Sequence, residues 1–283
     1  MTTTRSTPTP SPDTERAFRT WLQNVHSPAV SRRTADVHAA FFLPHLRPGM
    51  RLLDAGCGPG SITIGLARAV APAEVVGIDA EPAAIDAAQA QAQARDRGLT
   101  NIPVEVHDIH RMAFAAEFDA VFCHAVLQHV PDAARTLRAL RSVMKPGAVV
   151  GVADADYDGS IIEPNGRALA RAVRLSRRVR QSRGGDVRVG RRLRSYLAEA
   201  GFEGVVASAT ANTVGTAGNA LLTAEWQARY LEAPEFVRYV KASGWSDETA
   251  LVEMAAAWRA WGAHRGAYWA TFWCNAIAQN PAV

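Results

Sequence analysis

The chain has 283 residues, of which 48% are hydrophobic and 20% charged, and its formal net charge at pH 7 is +4. A chain of this length and apolar content can bury a full core, and the length alone permits one or two domains. No apolar stretch reaches the roughly 18 residues that span a bilayer, and residues 1–5 lack the apolar core of a signal peptide. We therefore expect a soluble, cytoplasmic protein without a membrane partner.

The N-terminal region divides into a tail and a helical cap. Residues 1–12 are mostly Thr, Ser and Pro and bury too little apolar surface to offset their ordering entropy, so they are predicted to be disordered. The spacing of Phe18, Trp21, Leu22 and Val25 predicts an amphipathic helix beginning at Asp13, and residues 31–43 predict a second helix that ends before a proline. Residues 13–46 are thus expected to form a cap over the site described next.

A buried strand over residues 51–54 leads into a glycine-rich turn and a helix over residues 61–70. Gly56, Gly58 and Gly60 allow a sharp reversal and a close approach of the backbone to a ligand. The turn does not meet the dinucleotide fingerprint, because Ser61 stands where its third small residue is required. Asp54 would repel a pyrophosphate but suits a ligand that carries an ammonium group, which favours S-adenosylmethionine.

Strands and helices continue to alternate after the turn. Strands are predicted at 74–79, 104–108, 118–123 and 148–153, and helices at 81–97 and 132–144. This order predicts a parallel sheet covered on both faces. Asp79 ends the second strand about 20 residues after the glycines, where a ribose diol would be held.

The C-terminal half adds an arginine-rich segment and an aromatic segment. Eleven arginines fall between Arg167 and Arg194, and the apolar residues among them favour a solvated helix face over a nucleic-acid site. A helix that ends near Gly201 and strands at 205–210 and 268–278 follow. Residues 211–266 are too long and too aromatic for a linker, so we interpret them as a helical substrate lid, the alternative being that these aromatic residues are ordinary core. The cofactor-binding core is then 47–210 and 267–283.

Together these motifs resemble a class I S-adenosylmethionine-dependent methyltransferase, with residues 54–60 as its first motif and Asp79 as the acidic end of its second strand. The resemblance implies a doubly wound, mainly parallel seven-stranded α/β sheet. It also implies that Asp108 hydrogen-bonds the adenine amino group. The cofactor-site positions that follow from it are Asp54, Gly56, Gly58, Asp79, Ala80, Asp108, Ile109, Cys123 and Gln128.

A narrower resemblance is to a ubiquinone-methyltransferase-like group that contains the gliotoxin-type thiomethyltransferases. It is carried by residues 31–35, 42–46, 126–130, 154–157 and 190–193 together with the glycine motif. In such enzymes Arg33 and Thr34 would lie by the cofactor's carboxylate, and the methyl acceptors are thiols of a reduced natural-product dithiol. The arginine-rich helix is not part of this pattern.

The methyl acceptor is expected at the carboxyl ends of the fourth and fifth strands, where open α/β sheets bind ligands. His124, Asp156 and Tyr157 are the candidate catalytic residues there, and His129 and Asp154 lie beside them in the sequence. Each could instead be a structural group or position the cofactor. A thiol with a pKa near 8.5 is already a few per cent thiolate at pH 7, so a thiol acceptor needs no dedicated base.

The expected partner is therefore a small molecule, with the chain acting as a monomer or homodimer. Methylation of an oxygen, nitrogen or carbon acceptor, an RNA-binding methyltransferase using the arginine block, and a cofactor-binding protein without transferase activity are the alternatives. Cys57, Cys123 and Cys274 are odd in number and lack metal-type spacing, which predicts reduced thiols and no metal site.

Overall fold

The computed structural model describes residues 8–24, 30–95 and 101–282. Most of the predicted disordered tail therefore lies outside the described residues, as do Val25 in the first predicted helix and the last two residues of the helix predicted at 81–97. No helix among the described residues has both the length and the apolar character that a membrane crossing requires.

Helices and strands alternate along the described chain as predicted. The α-helices are α1 (Pro12–Asn24), α2 (Ala35–His38), α3 (Thr63–Val70), α4 (Pro82–Arg95), α5 (Ala133–Ser142), α6 (Arg167–Ser182), α7 (Val189–Glu199), α8 (Ala217–Glu232), α9 (Pro234–Ala242) and α10 (Glu248–Ala263). The strands are β1 (Leu52–Ala55), β2 (Val75–Asp79), β3 (Val104–Val106), β4 (Phe118–His124), β5 (Met144–Glu163), β6 (Glu203–Val214) and β7 (Tyr268–Gln279).

The strands that the structure describes form one seven-stranded sheet in the order β3-β2-β1-β4-β5-β7-β6. The pairs β1–β2, β1–β4, β2–β3 and β4–β5 are all parallel. The predicted fold class, a doubly wound and mainly parallel α/β sheet, is confirmed. Because the chain order reverses between β1 and β4, the carboxyl ends of these two strands flank the place where such sheets bind ligands.

Alternate residues of the central strands fill two separate cores. Leu53 of β1 and Val121 of β4 belong to one buried cluster, and their neighbours Leu52 and Ala120 belong to another. Successive side chains of a strand point to opposite faces, so the two clusters are the two covered faces of the sheet. This is why the strand sequences are apolar throughout.

The helix predicted at 31–43 is replaced by short turns. A 3-10 turn (Val30–Arg32) precedes α2, and a second 3-10 turn (Leu43–His45) contains the proline. The prediction was wrong here because Phe42 is fully buried and stacks on Phe122, with ring centroids 5.4 Å apart. Gly151 makes room for this ring, since a Cβ there would lie 2.4 Å from it.

The chain divides into two compact units. The larger unit comprises 28–159, 180–211 and 272–283 and holds both cores of the sheet described above. The smaller unit comprises 1–27, 160–179 and 212–271. Its core contains Phe18, Phe236, Tyr239, Trp258 and Trp261, so these aromatic side chains are buried packing residues of that unit.

Candidate functional site

The glycine turn follows β1 and has the conformation that its sequence predicts. Gly56, Gly58 and Gly60 all have positive φ angles, of 78°, 54° and 73°. A Cβ on Gly56 would lie 2.2 Å from Cγ2 of Val126, whereas a Cβ on Gly58 would meet nothing within 4 Å. The backbone N–H groups of Gly56 and Cys57 both donate to the carbonyl of Ile78, which fixes the turn to β2. Gly56 is therefore required by the fold, and Gly58 leaves its surroundings open.

Asp54 is buried at the carboxyl end of β1, with 2% of its surface exposed. The hydroxyl of Thr63 donates a 2.6 Å hydrogen bond to its Oδ2 atom. Burial raises the pKa of Asp54 to about 7, the Thr63 bond opposes this rise, and the negative charge of Asp79 adds to it. A cation placed beside Asp54 would favour its ionised form.

Asp79 ends β2 and anchors the backbone on both sides of it. Its Oδ2 atom accepts a 3.0 Å hydrogen bond from the Gly58 N–H, and its Oδ1 atom accepts one of 3.0 Å from the Glu81 N–H. A carboxylate has about four acceptor positions, so hydroxyl groups of a ligand could still bind it. Asp79 thereby connects the glycine turn to the expected ribose position.

A small cleft of about 40 Å³ opens beside the turn. Five of the predicted site residues line it, namely Arg33, Asp54, Gly56, Gly58 and His124. Cys57, Pro59 and Ser61 of the predicted glycine turn also line it, together with Val30 and Ile62, which were not predicted. The cleft thus brings an arginine, a buried carboxyl group and an imidazole together over a backbone free of side chains.

Contacts with aromatic rings position Arg33 and His124 on one wall of this cleft. The guanidinium of Arg33 lies 5.1 Å from the ring centroid of Trp273, and the His124 ring stacks on Trp273 at 4.6 Å and 12°. His38 meets His124 edge-on at 5.6 Å. Trp273 and His38 were not predicted, because Trp273 reaches the site only through the pairing of β7, about which local sequence says nothing.

The two basic side chains on this wall, Arg33 and His124, both have lowered pKa values. Burial lowers the pKa of Arg33, and among the described residues its guanidinium makes no ion pair. Burial also lowers the pKa of His124 well below its usual range, and the charges of Arg33 and His38 lower it further. His124 is therefore neutral at pH 7, and its Nδ1 atom has no partner among the residues described.

Asp154 holds the segment that follows β4. Its Oδ2 atom accepts a 2.8 Å hydrogen bond from the Leu127 N–H. Burial raises the pKa of Asp154 to about 7, against the effect of backbone hydrogen bonds from Leu127, Ala155 and Gln128. In the same segment Gln128 donates from Nε2 to the carbonyl of Ala125, a residue with a φ of 62°. The Oε1 atom of Gln128 and the Oδ1 atom of Asp154 have no partner within the described chain.

Asp156 and Tyr157 lie at the end of the buried part of β5, and the side chain of each is in contact with an arginine. Arg191 makes a bidentate ion pair with Asp156. Burial would raise the pKa of Asp156, but the hydrogen bonds from Arg191 and from the Gly159 N–H lower it. The guanidinium of Arg180 lies 4.5 Å from the ring centroid of Tyr157. A carboxylate paired in this way is a weak base.

The remaining predicted cofactor residues lie outside the lining of this cleft. Asp108 is exposed and caps a short 3-10 turn (Ile109–Arg111) by accepting from the His110 N–H at 2.9 Å. Ala80 is also exposed. Thr34 donates its N–H to Nδ1 of His38 at 3.2 Å. Cys123 is fully buried in β4, which leaves only its backbone to face a ligand, and burial raises the pKa of its thiol.

Most of the arginine-rich segment is engaged with the protein itself. Arg171 pairs with Glu253, and Arg178 lies 4.6 Å from the ring centroid of Trp245. Ion pairs in the part of the segment after α6 join Arg188 to Asp158, Arg191 to Asp156 and Arg192 to Asp186. Leu169, Ala172, Leu175 and Val179 form the buried side of α6. This arrangement supports the solvated helix face over a nucleic-acid site.

Comparison with known proteins places this geometry in a family. Residues 46–201 match the sequence profile of the methyltransferase domain family. A ubiquinone biosynthesis O-methyltransferase of Alkalilimnicola ehrlichii is 37% identical over 102 residues, which cover 36% of this chain and 40% of that protein. A trans-aconitate 2-methyltransferase of Methylobacterium radiotolerans is 31% identical over 192 residues, 68% of this chain and 67% of the relative.

The similarity to other curated relatives covers a smaller part of their length. Solved structures show the same fold. The match spans about half the length of several of the curated relatives. The YcgJ protein of Bacillus subtilis superposes with a TM-score of 0.57 at 15% identity, covering 86% of this chain and 97% of that one. The matched residues 46–201 include the glycine turn and the acidic residues at the ends of β1 and β2. The chain belongs to the methyltransferase domain family.

Proposed function

We propose that the chain uses S-adenosylmethionine to methylate a small molecule, and that the acceptor is a thiol of a reduced dithiol natural product. The observation that carries this proposal is the pairing of a cofactor-type turn with a wall whose described residues include no strong base. His124 is neutral with a strongly lowered pKa, and Asp156 is paired with Arg191. A thiol acceptor is the class for which this suffices, because it supplies its own thiolate.

Several features support S-adenosylmethionine as the methyl donor. Gly58 leaves open space at the turn, and the partly buried Arg33 has no ion pair among the described residues and could hold a carboxylate. The ionised form of Asp54 would be stabilised by the ammonium group of the same ligand. Asp79 could accept from the ribose hydroxyls, and Asp108 from the adenine amino group.

When bound, the cofactor supplies an electrophilic methyl group on a sulfonium. The residues of the cleft would align the acceptor sulfur with that methyl group and exclude water. A bond forms between the acceptor sulfur and the methyl carbon as the bond from that carbon to the sulfonium breaks. The proton of the acceptor thiol passes to solvent before the attack, so no side chain has to remove it.

The test is incubation of purified protein with S-adenosylmethionine and a panel of reduced dithiols, monothiols, phenols and amines. The expected result is a mass gain of one or two methyl groups on the dithiols. A gain confined to phenols, amines or carboxylic acids would reject the thiol acceptor but keep the methyltransferase activity.

Methylation of an oxygen acceptor is the second candidate, and the unpartnered Nδ1 atom of His124 favours it. That atom could accept a hydroxyl proton from an acceptor in the cleft. Relatives whose names describe O-methylation and trans-aconitate methylation are consistent with it. Loss of activity in His124→Ala with unchanged cofactor affinity would support this candidate.

A further inference from the structure

Arg180 stands apart from its neighbours in the arginine-rich segment. Its guanidinium lies against the ring of Tyr157, and within the described chain it makes no ion pair. By contrast Arg188, Arg191 and Arg192 each pair with a carboxylate. A cation–π contact positions a guanidinium while leaving its N–H donors available to an anion.

The chain after Arg180 is pressed against the segment that follows β4. Gly184 has a φ of 81°, and a Cβ on it would lie 3.5 Å from Pro131. A Cβ on Gly185 would lie 2.6 Å from the carbonyl oxygen of Gln128 and 3.0 Å from that of Arg180. These two glycines therefore let the Arg180–Arg183 turn lie beside His129.

Tyr157 is fixed on the other side of the same turn. Its N–H donates a 2.9 Å hydrogen bond to the carbonyl of Val187, so β5 is tied at this point to the residues just before α7. Arg180, Tyr157 and His129 consequently lie together beyond the carboxyl end of β4 and beside the point where the buried part of β5 ends. The acceptor of an open α/β sheet is expected at this edge.

The local charge is positive. His129 is an exposed residue, and desolvation of its ring together with the charges of Arg180, Arg183 and Arg33 lowers its pKa. The nearby carboxyl group of Asp154 is fully buried with a raised pKa, and that of Asp156 is engaged by Arg191. The carboxyl groups of Asp154 and Asp156 therefore offset little of the positive charge that Arg180, Arg183 and Arg33 place around His129.

We propose that Arg180, held by Tyr157 and flanked by Arg183 and His129, binds an anionic oxygen group of the methyl acceptor. This inference rests on the proposed methyltransferase function and adds a substrate class to it: an acceptor that carries a carboxylate or a phosphate. Arg180 would donate to two oxygens of the group, and the neutral His129 could donate one further hydrogen bond.

Dihydrolipoate and dihydrolipoamide test the proposal, because both are dithiols and only the first carries a carboxylate. We expect kcat/KM to be at least about tenfold higher for the acid, as one charge-assisted contact allows. Arg180→Gln should bring the ratio close to one, and Arg180→Lys should keep part of it. The matched control is Arg178→Gln, which loses a similar cation–π contact on the same helix and should leave the ratio unchanged.

A binding experiment separates failure of this inference from failure of the proposed function. The protein is titrated with citrate and, separately, with inorganic phosphate by calorimetry, in wild type, Arg180→Gln and Arg178→Gln. Binding that is lost only in Arg180→Gln supports the subsite even if neither dithiol is methylated, and the stronger of the two anions identifies the group. Equal use of both dithiols, or anion binding that is the same in all three proteins, overturns the subsite and leaves the methyltransferase activity standing.

Discussion

Thr63 and Asp54 form a 2.6 Å hydrogen bond that joins the first turn of α3 to the end of β1. It is the polar contact that holds a fully buried carboxyl group next to the glycine turn. Because burial raises the pKa of Asp54 to about 7, this group is partly protonated near neutral pH. Both the stability of the fold and the affinity for a cationic ligand should therefore depend on pH.

The first prediction concerns stability. An acid whose folded pKa is raised binds more protons in the folded state, so the contribution of Asp54 to the free energy of unfolding should fall as pH rises from about 4 to about 7. Asp54→Asn removes this loss and should raise the free energy of unfolding at pH 8 by up to about 4 kcal/mol, since each of the roughly three pKa units corresponds to about 1.4 kcal/mol. Urea unfolding at several pH values measures it.

Two controls accompany that measurement. Asp154 also has a pKa raised to about 7, so Asp54→Asn should flatten only part of the pH dependence. Asp108→Asn changes an exposed carboxylate and should leave the pH dependence as it is in wild type. An Asp54→Asn variant whose stability follows the same pH curve as wild type would contradict the raised pKa of Asp54. The wild-type curve alone is not the test, because the lowered pKa values of His124 and His129 make stability rise with pH over the same range.

The second prediction concerns ligand affinity. If the ammonium group of S-adenosylmethionine lies beside Asp54, binding favours the ionised carboxylate, and the dissociation constant should fall as pH rises from 5.5 toward about 7. Above that pH the curve should flatten. Asp54→Asn should bind more weakly, by about tenfold or more, and without this pH dependence. Calorimetry with the non-reactive product S-adenosylhomocysteine gives both curves.

The third prediction separates two glycines of one turn. Gly56→Ala places a methyl group 2.2 Å from Val126 at a positive φ, and should lower the free energy of unfolding by about 2–4 kcal/mol. Gly58→Ala meets no atom and should cost about 1–2 kcal/mol through its φ alone, while it weakens cofactor binding strongly. Thermal unfolding and cofactor titration of both variants are the measurements.

A double variant checks the cause of the first effect. Gly56→Ala combined with Val126→Ala removes the overlapping atom, so it should recover stability relative to the value that the two single changes would give if they were additive. Additive losses would mean that backbone strain, and not the contact with Val126, dominates at this position.

The fourth prediction addresses His124. With a dithiol acceptor, His124→Asn should lower kcat by less than about tenfold, because the side chain walls the cleft and does not remove a proton. The pH dependence of kcat/KM should follow the thiol of the acceptor in both proteins. A loss of a hundredfold or more, together with disappearance of a titration in the pH profile, would instead identify His124 as the general base.

The sequence predicted the sheet well because its signals are local. Strand periodicity, the glycines after residue 54 and the acidic residue at 79 are each readable within a few residues, and the structure places them as expected. The turns at 30–45 could not be predicted in the same way, since Phe42 leaves a helical pattern in order to stack on Phe122, eighty residues away in the chain.

The contacts on the wall of the cleft could not be predicted from local sequence either. His124 could be proposed from its place at the end of β4, but its partner Trp273 comes from β7 and its neighbour His38 from a one-turn helix. Similarly, the sequence shows eleven arginines without showing that Arg180 alone rests on Tyr157 while Arg191 pairs with Asp156. Which basic groups are engaged is decided by tertiary packing.

The difference between Gly56 and Gly58 has an evolutionary consequence. Val126 of the chain itself forbids a side chain at position 56, so a descendant that stopped transferring methyl groups would still be selected to keep that glycine in order to fold. At position 58 no atom of the protein lies in the way, so beyond the modest cost of a positive φ it is a bound ligand that would select against substitution. Among proteins that share this turn, drift at position 58 with retention at position 56 would therefore mark lineages that have kept the architecture and lost the chemistry.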